Sequence, residues 1–445
     1  MFCGIKVFFK THLFIFYRGV PTMYEHEFDA TEKLIHGQNQ WRGRAINLIA
    51  SENILSNRVR ALAGSDFAHR YAEGHPGERY YRGTSFIDEI ESKLKSNLKI
   101  LFNCDHTEVR PISGTNANEA VFSKFVSPGD VVMANSTPGG GHISHHRIGS
   151  LGKFTKNIID FPITPDGYHM DVEKTRYLIK KIKPKLIVLG KSLFLFPEPI
   201  KELVDVCQEN KVKIVYDAAH VLGLVATKKF QNPLQEGAYL ITGSTHKTYF
   251  GSQRGVILSN MGPEDWRKID RGAFPGSSSN HHLDTLAQLA LATYEMMEFG
   301  EPYAAQVIAN AKALAVALDQ RGFTVEGKEF GFTESHQVAV NVAHVGGGEK
   351  VSKELEINDI ILNMNMLPHE PLSNHDHPDG IRIGVQEMTR VGMKEADMER
   401  IAELMQECVM KNMPVKDEVN TFRDQYQDVK YSYDDAKKAP HKGKN

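Results

Sequence analysis

Five short apolar runs constrain this chain more than any other feature. They are VVMAN (Val131 to Asn135), LIVLG (Leu186 to Gly190), KIVYDA (Lys213 to Ala218), YLITG (Tyr239 to Gly243) and GVILS (Gly255 to Ser259), and helical stretches alternate with them. A strand that is apolar along its whole length has both faces covered, so such runs predict an α/β fold: a mainly parallel sheet with helices on both sides. Ligands of such sheets collect at the carboxyl ends of the strands. Ser192, Asp217 and Lys247 all fall just after such runs.

The pattern changes after Gly300. A helical stretch from Pro302 to Arg321 stops at Gly322, and FTVEG, HQVAVNV and DIILN follow as strand candidates. A last helix, about Lys394 to Lys411, puts Met398, Ile401, Leu404, Met405 and Cys408 on one core-facing stripe. The expected organisation is therefore an N-terminal arm and large domain over 23–300, a smaller α+β domain over 301–414, and a charged, solvated tail over 415–445. At 445 residues and 41% hydrophobic content the chain is long enough for such a core.

A formal charge of -2 gives no basic field for nucleic acid. Four widely spaced cysteines, Cys3, Cys104, Cys207 and Cys408, point to a reducing, cytoplasmic setting. The first 22 residues are apolar and basic, but Lys6, Lys10 and Arg18 break the run, which is too short to span a bilayer. They read as a non-native or misassigned extension ahead of a start at Met23.

Asp217 and Lys247 together suit a pyridoxal phosphate site. A buried aspartate supports a protonated ring nitrogen, and a desolvated lysine can give a Schiff base with the cofactor's aldehyde. Alone, a strand-end aspartate is as readily a helix cap or magnesium ligand. In SGTNAN, the hydroxyls of Ser113 and Thr115 and the amides of a helix beginning near Asn116 can cradle a phosphate, although an ordinary helix cap fits the same residues. Arg382 in GIRIG suits a carboxylate clamp, with Ile381 and Ile383 facing the other way; the alternative is a surface ion pair.

Eight segments in order, INLIASEN (Ile46 to Asn53), RYAEGHPGERYYRG (Arg70 to Gly83), SGTNAN, GGGHISH (Gly139 to His145), YDAAHVLGL (Tyr216 to Leu224), STHKT (Ser244 to Thr248), FPG (Phe274 to Gly276) and GIRIG, resemble serine hydroxymethyltransferase, a fold-type I pyridoxal phosphate enzyme. The resemblance runs from about Tyr24 to about Lys411. It implies interconversion of serine and glycine with one carbon passed to a reduced pterin, and a homodimer at least, with active sites shared between subunits. By resemblance, Ser113, Gly114, Thr115 and Ser244 serve the phosphate and His142 stacks on the ring. His220 and Ser192 lie at the phenolic oxygen, and Tyr71 and Gly276 come from the neighbouring subunit. Glu73 is the implied acid/base group, flanked by Tyr80 and Tyr81, with Ser51 near the substrate hydroxyl, His246 on the cofactor side of Lys247 and Arg390 as a supporting arginine. On residue type alone Glu73 is as readily a salt-bridge partner.

Departures from the family pattern bear on the pterin. Thr137 stands where many folate users have leucine, while Ile143 keeps the second apolar contact. The loop Asn363 to Gly380 keeps Asn363, Asn365 and Pro368 but lacks a Ser-Pro-Phe segment, and Gln253 and Arg254 lie in an altered stretch after Lys247. These features resemble archaeal members, some of which use tetrahydromethanopterin in place of tetrahydrofolate. A pterin-independent threonine or allo-threonine aldolase would need the same lysine, arginine and aspartate. A non-catalytic pyridoxal phosphate-binding regulator is the reading from another class, against which intact Lys247, Asp217, Arg382 and Glu73 argue. His142, His145 and His146 have helical spacing and His369, His375 and His377 cluster, but no partner of recognised spacing accompanies them, so no metal is expected.

Overall fold

The computed structural model describes residues 23–436. The extension expected over 1–22 and the last nine residues of the tail lie outside the described residues. Helix α1 (Met23–Arg44) is a compact unit by itself. Residues 45–436 belong to the second unit.

The second unit is organised by a seven-stranded sheet: β1 (His106–Glu108), β2 (Val132–Ala134), β3 (Ile158–Asp160), β4 (Leu186–Leu189), β5 (Lys213–Asp217), β6 (Leu240–Ser244) and β7 (Gly255–Ser259), in the order β1-β7-β6-β5-β4-β2-β3. From β3 to β6 the pairings are parallel, while β7 runs antiparallel to both β6 and β1. β1 therefore points the same way as the parallel set, so six of the seven strands share one carboxyl edge. All four residues of β4 are 0% exposed, as a strand covered on both faces requires. The five apolar runs are all strands, and β1 and β3 join them.

A smaller antiparallel sheet contains β8 (Thr324–Val325), β9 (Gln337–Asn341), β10 (Asn363–Asn365) and β11 (Gly380–Gly384), in the order β8-β9-β11-β10. Its register sets Arg382 opposite Ala339 on one side and Asn363 on the other. Ile381 and Ile383, at the alternate positions, are wholly buried. A separate parallel pair, Ile46–Asn47 with Ile360–Ile361, ties the segment before the site to this region. Helix α4 (Leu283–Gln320) is one 38-residue element that runs through the boundary at 300/301 and carries Pro302 inside it.

Helix α5 (Glu395–Val409) buries Met398, Ile401, Leu404, Met405 and Cys408, the stripe its sequence pattern predicts. The tail departs from expectation. Instead of being solvated, it forms helix α6 (Lys416–Arg423) and buries Val415, Val419 and Val429. Its polar backbone is also used: carbonyls of Lys430 and Tyr431 accept hydrogen bonds from Arg390. Charged residues dominate the tail's sequence, and these three valines are too sparse among them to register as a pattern. Among the described cysteines, Cys104, Cys207 and Cys408 are buried and free. No described helix is long and apolar enough to cross a membrane.

Candidate active site

At the shared carboxyl edge, turns after β1, β2, β4, β5 and β6 enclose a small cavity of about 30 Å³. Gly114, Thr115, His142, Asp217, Ser244 and Lys247 line it, with Asn118, Lys191, Ala219 and His220. Two close approaches shape the wall. A Cβ on Gly114 would lie 2.4 Å from Ser244 Oγ, and one on Gly190, at φ +122°, would lie 2.2 Å from the carbonyl oxygen of Asp217.

Helix α3 (Gly114–Phe125) begins two residues earlier than the sequence suggested. Ser113 is its N-cap, and its Oγ accepts the Asn116 N–H at 3.1 Å. Capping uses only an acceptor position, so the Ser113 hydroxyl hydrogen stays available to an anion at the helix start.

Asp217 ends β5 and is buried. Its Oδ2 accepts Asn118 Nδ2 at 2.7 Å and lies 2.9 Å from His145 Nε2, while Oδ1 accepts the Ala219 N–H at 2.9 Å. Burial penalises the charged carboxylate, but the hydrogen bond and charge of His145, the Asn118 amide and the charge of His142 outweigh it. The group is held well below the usual carboxylate range. Neither His145 nor Asn118 was singled out as a site residue from the sequence. In the sequence His145 stands out only as one of three helically spaced histidines; in the structure Ile143–His145 is a 3₁₀ turn, so the three histidines do not share an α-helical face. His146 instead faces the Asn135 carbonyl at 2.9 Å.

Lys247 is 9% exposed. Burial, opposed by the charge of Asp217 and reinforced by that of Arg382, lowers its amine to about 8. The Lys247 carbonyl accepts Asn53 Nδ2 at 2.6 Å, and Asn53 also donates to Tyr303 Oη at 2.9 Å, so the segment carrying Ser51 packs beneath the lysine. His246 is lowered to about 4 by burial and by Lys247, and its Nδ1 is buried without a hydrogen-bond partner. His142 is likewise lowered to about 4, chiefly by burial, and its Nδ1 lies 2.7 Å from Ser144 Oγ.

Arg382 is buried, which excludes the surface ion pair. Its Nη1 donates to the carbonyl and Oγ of Ser192 at 2.8 and 2.9 Å, and its Nη2 to Asn363 Oδ1 at 3.2 Å. Nε is buried without a partner, and among the described residues no carboxylate lies within ion-pair distance. Arg390, by contrast, is committed to Glu295 at 2.8 Å and to the tail carbonyls, which removes it as a supporting arginine.

Other residues expected at the site do not line this cavity. Tyr71, Glu73, Tyr80 and Tyr81 sit on and beside the hairpin of Gly74–His75 with Glu78–Arg79, where the three tyrosines are exposed and Glu73 is half-buried. Buried Arg79 anchors that hairpin to Glu91 at 2.6 Å and Asp88 at 2.8 Å, both on helix α2 (Ser85–Phe102). Gly276 follows Pro275 in the Gly272–Ser277 segment. Thr137 and Ile143 flank the loop carrying His142, with Ile143 49% exposed, and Asn365 ends β10. Arg254 is wholly buried, donating to the carbonyls of Val109 and His282.

Comparisons agree with this architecture. The chain matches the family described as serine hydroxymethyltransferase over residues 25–405. It is 48% identical to the serine hydroxymethyltransferase of Methanosphaera stadtmanae over 91% of this chain and 96% of that protein. It is 47% identical to that of Archaeoglobus fulgidus, over 91% and 92%. Among solved structures, L-threonine transaldolase from Pseudomonas fluorescens in its internal aldimine state superposes with a TM-score of 0.84 at 27% identity, covering 93% of this chain and 95% of that one. The chain belongs to the serine hydroxymethyltransferase family of pyridoxal phosphate enzymes.

Proposed function

We propose that this protein interconverts L-serine and glycine with pyridoxal phosphate as cofactor, exchanging one carbon with a reduced pterin, either tetrahydrofolate or tetrahydromethanopterin. The observation that carries the reading is Arg382. A buried guanidinium with no carboxylate in reach among the described residues, close enough to an activated lysine for its charge to lower that amine, suits a substrate carboxylate.

The residues fit the cofactor. Ser113, Gly114, Thr115 and Ser244 would hold its phosphate at the start of α3, His142 would cover the ring, Asp217 would face the ring nitrogen, and Ser192 and His220 the phenolic oxygen. Lys247, poised at about 8, would join its aldehyde. When bound, pyridoxal phosphate supplies the electron sink that stabilises negative charge at the amino acid's α-carbon.

The chain's own side chains do the rest. Arg382 orients the amino acid by its carboxylate, so that the Cα–Cβ bond of serine stands where it can be broken. Ser51 and Tyr80 contact the substrate, and Glu73, with Tyr81 and His246, handles the proton of the serine hydroxyl. Thr137, Ile143 and Asn365 border the pterin. Glu73, Tyr71, Tyr80, Tyr81 and Gly276 would act from a second copy of the chain. Their exposed hairpin, beside a cleft of about 650 Å³ lined by Tyr71, Tyr81 and Phe86, supports a homodimer with shared sites. Buried free cysteines are in keeping with the cytoplasm.

The test is purified protein given serine with tetrahydrofolate, with tetrahydromethanopterin, and with no pterin. Glycine release stimulated by one pterin is expected. Cleavage of β-hydroxy amino acids that neither pterin stimulates would replace the reading with an aldolase.

A further inference from the structure

Gln337 is fully buried on β9 behind His220, and its amide has only one permitted orientation. The backbone N–H of Phe194 approaches one end at 2.7 Å, and because an N–H only donates, that end is Oε1. Nε2 then lies 3.0 Å from the carbonyl of Ser192 and 2.9 Å from Nδ1 of His220. One amide hydrogen goes to the carbonyl, and the other is aimed at the imidazole. A longer contact, 3.4 Å to His336 Nε2, does not compete, since that nitrogen faces the Ala50 carbonyl at 3.1 Å and must donate to it.

We propose that Gln337 is a positioning residue that locks His220 as the Nε2–H tautomer, so that the ring offers a neutral hydrogen-bond donor to an anionic oxygen in the cavity it lines. The other tautomer would set an imidazole N–H against an amide N–H in a buried place. Protonation of His220 is opposed in the same way, and burial together with the charges of Lys247 and Arg382 also holds the ring well below its usual value. The Ser192 carbonyl that fixes Gln337 also accepts Arg382 Nη1 at 2.8 Å, so one backbone group aligns the imidazole and the carboxylate clamp. The nature of the oxygen, phenolic or carboxylate, rests on the proposed serine–glycine reaction; the tautomer does not.

The test uses full-length protein labelled with ¹⁵N-histidine, with pyridoxal phosphate bound and after its removal, with His220 identified by difference from a His220→Asn variant. Magic-angle-spinning ¹⁵N spectra should show an unprotonated Nδ1 in the unaltered protein. Gln337→Glu, whose ionised carboxylate only accepts, should move the hydrogen to Nδ1. Gln337→Met, similar in size and apolar, should give a mixture. In parallel, the pH titration of the bound cofactor's absorbance should shift in Gln337→Glu. An Nδ1–H signal in the unaltered protein, or His220 signals identical in all three, overturns the proposal. Serine turnover is scored separately, because its absence would count against the reaction and leave the tautomer measurement standing.

Discussion

His145 Nε2 lies 2.9 Å from Asp217 Oδ2, and both side chains are buried. An ionised carboxylate can only accept, so Nε2 carries the hydrogen, and Asn118 supplies a second donor to the same oxygen. Asp217→Asn keeps the shape but removes the charge that the ring nitrogen would face. Losing one charge-assisted hydrogen bond of about 1.5–3 kcal/mol should lower kcat by roughly ten- to a hundredfold. His145→Asn should act in the same direction but less, since Asn118 remains. Steady-state kinetics with the cofactor's absorbance spectrum check both.

Lys247 makes cofactor capture depend on pH with a definite sign. Burial is the main cause that brings its amine to about 8, against an ordinary 10.5, and only the neutral amine attacks an aldehyde. Uptake of pyridoxal phosphate by the stripped protein should therefore speed up about tenfold per pH unit below neutrality and level off above about 8. Between 8 and 10.5 the unfolded chain binds more protons at this position than the folded one. The contribution to stability therefore rises with pH across that window. Lys247→Met should abolish covalent uptake and flatten that part of the stability profile, measured as urea midpoints of stripped protein.

Arg382 holds Ser192 and Asn363 but no acid. Arg382→Ala should weaken serine binding by about 3–5 kcal/mol, the scale for removing one partner of a buried charge pair. Arg382→Lys should recover only part, because an ammonium cannot make two parallel hydrogen bonds. Serine titrations that match the unaltered protein would place the clamp elsewhere, while an unchanged cofactor spectrum in the variants would show that the fold survives.

Much of the architecture was legible because β4, β5, β6 and β7 are apolar along their length and bounded by turn residues. The three-residue strands β1 and β3 were missed, since HTE and IID carry too few residues for a period. Only the part of helix α4 from Pro302 onward was legible, because Gly300 and Pro302 suggest a break, yet Gly300, Tyr303 and Ala304 are all buried within one continuous helix. Asp217, Lys247 and Arg382 stood out by residue type and position. Asn118, His145 and Gln337 did not, because each acts through a partner distant in sequence: 99 residues from Asn118 to Asp217 and 117 from His220 to Gln337. A signal was present only for His145, three residues after His142.

A buried pair beside the site should prove structural. Lys191 donates to the Tyr168 carbonyl at 2.7 Å and lies 3.3 Å from Glu198, which also accepts Asn135 Nδ2 at 3.1 Å. Lys191→Met leaves Glu198 as an uncompensated buried charge and should cost about 3–5 kcal/mol of stability. Adding Glu198→Gln should restore much of it, a coupling that a double-mutant cycle of urea midpoints would measure.

Arg390 makes the tail part of the fold. Its side chain is wholly buried, pairs with Glu295 at 2.8 Å, lies 3.7 Å over the Phe250 ring, and donates to the carbonyls of Lys430 and Tyr431. Ending the chain at Pro414 would remove both carbonyls and strip the cover provided by Val419 and Val429. A guanidinium left buried with unmet donors is the costly case, so the truncated protein should lose about 3–5 kcal/mol. Arg390→Met with Glu295→Gln in that truncated chain should recover part of the loss, because the pair then no longer needs the tail's carbonyls. A solvated tail would leave the urea midpoint unchanged on truncation, and that result would remove Arg390 from the account of stability.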